Sequence, residues 1–206
     1  MPIIMRNFFL GALLCASVCH APAQTDIQHI DFTNFSYPWF YSMVGKPGWF
    51  DMSHEKPIQL TNGRNLSDSG NGVTEEGLTL EEVQFSNVTG DGQTDAIVVL
   101  RYDTGGTMFS YYIYVYTFAD GKPKLLACFH AGDRAYSGLY RVYEQNGRLV
   151  LELYDPDKST GDCCSTRFIR TRYMWRNGRF LAVGAEEFGK PKATSRLPVS
   201  VFGNHQ

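Results

Sequence analysis

The segment His130-Ala-Gly-Asp133-Arg134-Ala-Tyr136 brings an imidazole, a carboxylate, a guanidinium and a phenol within seven residues. Such a set can move protons or grip an anion, so His130, Asp133 and Arg134 are the candidate centre of a small hydrolase. The same residue types also lock loops through Asp–Arg pairing and backbone hydrogen bonds. The surrounding sequence favours that second role. It holds no H-E-x-x-H, no Gly-x-Ser-x-Gly elbow and no phosphate-cradling glycine loop. His29, His54 and His205 add no pair at ligand spacing.

A second segment, Asn87-Val-Thr89-Gly-Asp91-Gly92-Gln93-Thr-Asp95, is dense in side-chain oxygen and leads into the apolar run Ala96 to Leu100. Hard cations want clustered oxygens, and Gly92 permits the sharp turn that gathers them. The segment resembles the Asp-Gly calcium loop of the FG-GAP and VCBS repeats of integrin-like β-propellers. That resemblance implies calcium as cofactor, held by Asn87, Thr89, Asp91, Gln93 and Asp95. Asn87 and Thr89 replace acidic or amide positions of the family pattern. Val98 stands where an EF-hand carries its bidentate glutamate, which removes the EF-hand reading. The metal-free alternative is a turn in which Asp91 and Asp95 accept backbone N–H bonds. Only one such loop occurs, so propeller-like blades are implied rather than a complete propeller. The stretch 79–180 also resembles a family of uncharacterised secreted bacterial domains. The shared marks are Thr89-Gly-Asp-Gly92, Gly132-Asp-Arg-Ala135, Asp162-Cys-Cys164 and Thr171-Arg-Tyr173 with Trp175. This second resemblance implies no activity and assigns no catalytic residue.

Asp103-Thr104-Gly105 matches the tripeptide of aspartic proteases, whose chemistry needs two aspartates sharing a proton. Here it follows Arg101-Tyr102, and Gly105-Gly106 predict a hairpin turn instead. Beyond residue 23 the cysteines are Cys128, Cys163 and Cys164. In an oxidising compartment one disulfide is expected, joining Cys128 to Cys163 or to Cys164, with one thiol left over. Tyr112, Tyr114, Tyr116 and Phe118 share one strand face because side chains alternate with period two. Exposed, that ladder would stack on sugars or a partner. Ile113 and Val115 on the opposite face point instead to a central strand covered on both sides. Arg170, Arg172 and Arg176 form another stripe, for which cross-strand pairing with acids such as Glu152 is expected. Asn34, Asn65 and Asn87 each open a glycosylation sequon, which matters only in a glycosylating host.

The elements that carry these residues follow from turn chemistry. Arg6, an apolar run from Phe8 to Val18 and Ala21-Pro22-Ala23 read as a signal peptide over residues 1–23. The run is too short to span a bilayer, and no other segment serves as a transmembrane span. Cys15 and Cys19 raise a lipid anchor as the rival reading, although Leu14 and Val18 are bulky for a lipobox. Periplasmic or secreted localisation is therefore expected. Residues 24–77 form an aromatic-rich segment with a polar loop over 61–77, residues 78–186 form the body, and residues 187–206 are expected to fray. Three X-Gly turns, at Asp120-Gly121, Asn146-Gly147 and Asn177-Gly178, lie between strand-like runs and predict hairpins. The fold class expected is all-β, mainly an antiparallel meander, as a sandwich or partial propeller-like blades. The formal net charge of −2 supplies no electrostatic footprint for nucleic acid. These readings converge on a non-catalytic binding or structural module of the bacterial envelope, with a protein or polysaccharide partner. The periplasmic hydrolase is the alternative.

Overall fold

A computed structural model describes residues 26–38, 56–68, 75–133, 136–160 and 163–192. Two short 3-10 turns, Ile27–His29 and Phe32–Asn34, precede β1 (Ser36–Tyr37), β2 (Ile58–Gln59) and β3 (Arg64–Asp68). Four long strands follow: β4 (Glu75–Ser86), β5 (Asp95–Thr104), β6 (Phe109–Ala119) and β7 (Lys122–Ala131). Next come β8 (Leu139–Glu144), β9 (Leu149–Tyr154), β10 (Ser159–Thr160), β11 (Cys163–Ser165), β12 (Phe168–Arg176) and β13 (Arg179–Gly189). The protein is all-β. One sheet runs β3-β4-β5-β6-β7 as an unbroken antiparallel meander, and a second runs β13-β12-β9-β8. All three X-Gly hairpins form as expected, with Asp120, Asn146 and Asn177 at positive φ.

Alternation along the long strands builds two cores on one sheet. Ile97, Val99, Ile113, Val115 and Phe129 face the second sheet, meeting Val142, Leu149, Leu151 and Phe180. This is the interior of a sandwich. Val98, Leu100, Tyr112, Tyr114 and Tyr116 point the other way and are roofed by Ile27, Phe32, Tyr37 and Leu60. The five-stranded sheet is thus the middle layer, which explains why β5 and β6 read as nearly continuous apolar runs. Each fully buried aliphatic side chain here contributes about 1.5–3 kcal/mol relative to exposure. The tyrosine ladder is core: Tyr114 and Tyr116 stack, and the Tyr114 hydroxyl donates to the Pro38 carbonyl at 2.8 Å.

Three expectations are corrected. The loop over 61–77 contains β3 and the start of β4, because Gly77 at φ +140 lets the two backbones pair closely. Residues 187–189 belong to β13, where Glu187 is held by Arg170 and Arg172. The bridge from Cys128 to Cys163 or Cys164 is not formed, since Cys128 is a free buried thiol. Its side chain faces the N-terminal roof, whereas the β10–β11 hairpin extends from the sheet on the other side of the middle layer. The leader expected over residues 1–23, Arg134 and residues 193–206 lie outside the described residues.

Candidate functional site

The turn joining β4 to β5 is organised around Asp95, which is fully buried. Its Oδ2 accepts from the Val88 and Thr89 amides at 3.1 and 3.0 Å and from the Thr89 hydroxyl at 2.9 Å. Asn87 Oδ1 accepts the Gly90 amide at 2.7 Å, and Asp91 Oδ1 accepts the Gln93 amide at 2.8 Å. Val88 sinks its side chain into the inter-sheet core and anchors the loop. Gly90 and Gly92 take φ values of +75 and +90, which side chains bearing a Cβ resist. A Cβ at Gly90 would lie 3.6 Å from the Gly147 carbonyl, so this turn abuts the β8–β9 turn of the second sheet.

The electrostatics of the turn are uneven. Burial pushes the Asp95 carboxyl above its ordinary value; hydrogen bonding from Thr89 and Thr117 pulls it down, and nearby Asp91 adds to the rise. Asp95 Oδ1 is sealed from water. The turn therefore holds itself together through backbone and threonine donors to one buried carboxylate. Among the described residues no group of three or more His, Cys, Asp or Glu side chains could hold a metal. A cation here would draw on Asp95, Asp91 and neutral oxygens from Asn87, Thr89 and Gln93. That donor set suits a hard, weakly held ion such as calcium.

The other candidate segment is the crossing from one sheet to the other. His130, the penultimate residue of β7, lies on the same face as Tyr112, only 3 % exposed, with its ring 4.8 Å from that of Tyr112. Burial pushes its pKa below the ordinary value, and its Nδ1 is enclosed without a hydrogen-bond partner. Asp133 Oδ1 accepts the Tyr136 amide at 3.0 Å, and the Gly132 amide donates to the Ser137 carbonyl. Ser137 adopts φ +56, and Gly132 bridges Gly138 as the chain enters β8. Asp133 thus shapes a tight reversal, while His130 sits in a core layer. Asp103 pairs with Arg101 at 3.0 Å, and the Thr104 hydroxyl donates to the Met108 carbonyl at 2.9 Å in the expected hairpin turn.

Arg170 and Arg172 of the arginine stripe are structural. Glu152, almost fully buried, accepts from the Tyr143 hydroxyl at 3.0 Å and from Arg170 Nε and Nη2 at 2.7 Å each. Among the sequons, the Asn34 amide donates to Asp31 at 2.8 Å and the Asn65 amide to the Gln59 carbonyl at 2.8 Å. Asp155 and Arg167, which no spacing signal singles out, form a second buried ion pair. They lie twelve residues apart and meet only because β12 doubles back beside β9. A polar pocket on the middle sheet, lined by Arg64, Thr79, Arg101 and Asp103, was likewise unmarked in the sequence.

Comparison with protein-family models, with characterised proteins and with solved structures finds no match. Among the described residues no helix is long and apolar enough to cross a membrane.

Proposed function

We propose that the protein is an exported, non-catalytic binding or structural module of the bacterial envelope, stabilised by calcium at the Asn87–Asp95 turn. One observation carries the reading: among the described residues, the side chains that the sequence offers for chemistry are enclosed or engaged within the fold. His130 is enclosed beside Tyr112, Asp133 closes a turn, and Asp103 is paired with Arg101. Acid–base catalysis needs such groups within reach of a substrate proton. The calcium component is supported by the buried Asp95 carboxylate beside the Asp91 charge, in a turn rich in side-chain oxygen.

Two measurements test this. The chain from residue 24 onward, supplied with generic esters and glycosides, should show no turnover above background. Turnover that disappears in Asp133→Asn would overturn the non-catalytic reading in favour of the hydrolase. Adding calcium to metal-stripped protein should raise the melting temperature. At 100 times the dissociation constant the gain is about 2.7 kcal/mol. No shift at millimolar calcium would remove the metal from the proposal and leave the binding module standing.

A further inference from the structure

The second sheet covers only part of the inner face of the middle sheet. Ile97, Val99, Ile113 and Val115 lie under cover, but the next residues on the same face, Arg101, Asp103 and Phe109, are half-exposed. Pairing register sets them in two cross-strand rows. Arg64 stands opposite Thr79, Thr79 opposite Arg101, and Arg101 opposite Tyr111. The second row runs from Gly77 to Asp103 to Phe109. Directly opposed residues project to the same side, so both rows form one shelf.

The shelf has the parts of a sugar site. It holds a pocket of about 310 Å³, with Glu75 at its rim and the Gly105-Gly106 turn as its wall. The Phe109 and Tyr111 rings meet edge-on at 5.6 Å across from Asp103 and Arg101, giving an apolar flank to the pocket. Arg101 is fixed by Glu81 at 3.2 Å and Asp103 at 3.0 Å, a rigid polar floor. Arg64 is exposed and has no ion pair among the described residues. A planar guanidinium without an acid is matched by a carboxylate, which it grips through two parallel bonds. Hydroxyls suit Asp103, Glu75 and Thr79, and the C–H face of a pyranose suits the aromatic flank.

We propose that this shelf binds a uronic-acid stretch of an envelope polysaccharide, one unit's carboxylate on Arg64 and the ring of a unit further along the chain against the Phe109 flank, about 14 Å away across three strand spacings. The inference rests on the binding-module reading and names its ligand class. Affinity electrophoresis in gels containing polygalacturonate, neutral dextran or dextran sulfate tests it. Polygalacturonate should retard the full chain, while Arg64→Ala and Phe109→Ala should each weaken the retardation about tenfold. The melting curve of Arg64→Ala should match the parent because Arg64 is exposed, so its lost retardation reports binding and not folding. Equal retardation by dextran or dextran sulfate would overturn the proposal as general polysaccharide or polyanion adhesion. Absence of retardation by polygalacturonate would overturn it too. Neither result would touch the non-catalytic reading, which falls only to Asp133-dependent turnover.

Discussion

Replacing Asp95 by alanine in chelator-containing buffer should cost about 3 kcal/mol of folding stability. The figure follows from what the carboxylate does. It accepts two backbone amides and one hydroxyl between 2.9 and 3.1 Å while fully buried. Each buried donor left without an acceptor costs about 1–3 kcal/mol. Part of that loss is offset, because burying the charge is itself unfavourable and raises the carboxyl pKa. For a domain of this size the loss should lower the melting temperature by about 6–12 °C. Asp95→Asn keeps a carbonyl oxygen for the same donors and sheds the charge, so it should stay within about 1 kcal/mol of the parent. The pH dependence has a definite sign. A carboxyl raised in the folded state holds more protons there than in the unfolded chain. Stability therefore falls as pH rises from the ordinary value of 3.8 through the folded pKa, and Asp95→Asn should lack that slope. Urea melts at several pH values measure all of this. If alanine costs less than about 1 kcal/mol, or asparagine costs as much as alanine, the hydrogen-bond account of the turn is wrong.

The enclosed imidazole of His130 has its pKa lowered by burial, so the unfolded chain takes up protons first. Stability should drop as pH falls from the ordinary value of 6.5 through the folded pKa. An NMR titration midpoint at or above 6.5 would contradict this. Glu152→Ala strips a buried acceptor from Tyr143 and Arg170 and should cost about 3 kcal/mol by chemical denaturation. Glu187→Ala touches an exposed pair, and its smaller effect should vanish in molar salt; a loss equal to that of Glu152→Ala would refute the contrast. Because Arg172 and Arg170 hold the Glu187 carboxyl below its ordinary value, its contribution is present above 4.5 and is lost as pH falls through the folded pKa. Gly77→Ala would place a Cβ 2.1 Å from the Asn65 carbonyl oxygen at φ +140. It should cost more than about 2 kcal/mol, and hydrogen exchange should show β3 amides losing protection first.

Hairpins were legible because their signal is local. Asn146-Gly147 and Asn177-Gly178 specify turns by backbone chirality alone, and the flanking alternation supplies the strands. The double-sided burial of β6 was legible for a related reason, since Tyr114 and Ile113 are apolar on both faces. β3 was hidden because Arg64-Asn-Leu-Ser-Asp has no alternation to speak of, and its pairing depends on Gly77, beyond the intervening turn. The end of β13 was hidden in the same way. Glu187 and Phe188 look like tail until Arg170, Arg172 and Phe168 are found beside them.

Period-two patterning and turn residues, both properties of short stretches of chain, were enough for the sequence to determine an all-β body of consecutive antiparallel strands. Which candidate groups are enclosed, and which meet at the surface, was decided only by the stacking of layers. His130 is buried against Tyr112, on the face of the middle sheet that residues near Ile27 and Phe32, about a hundred positions earlier, roof over. Arg64 reaches Arg101 only through the register of three strands. Burial and register are properties of pairs distant in sequence, and no local pattern encodes them.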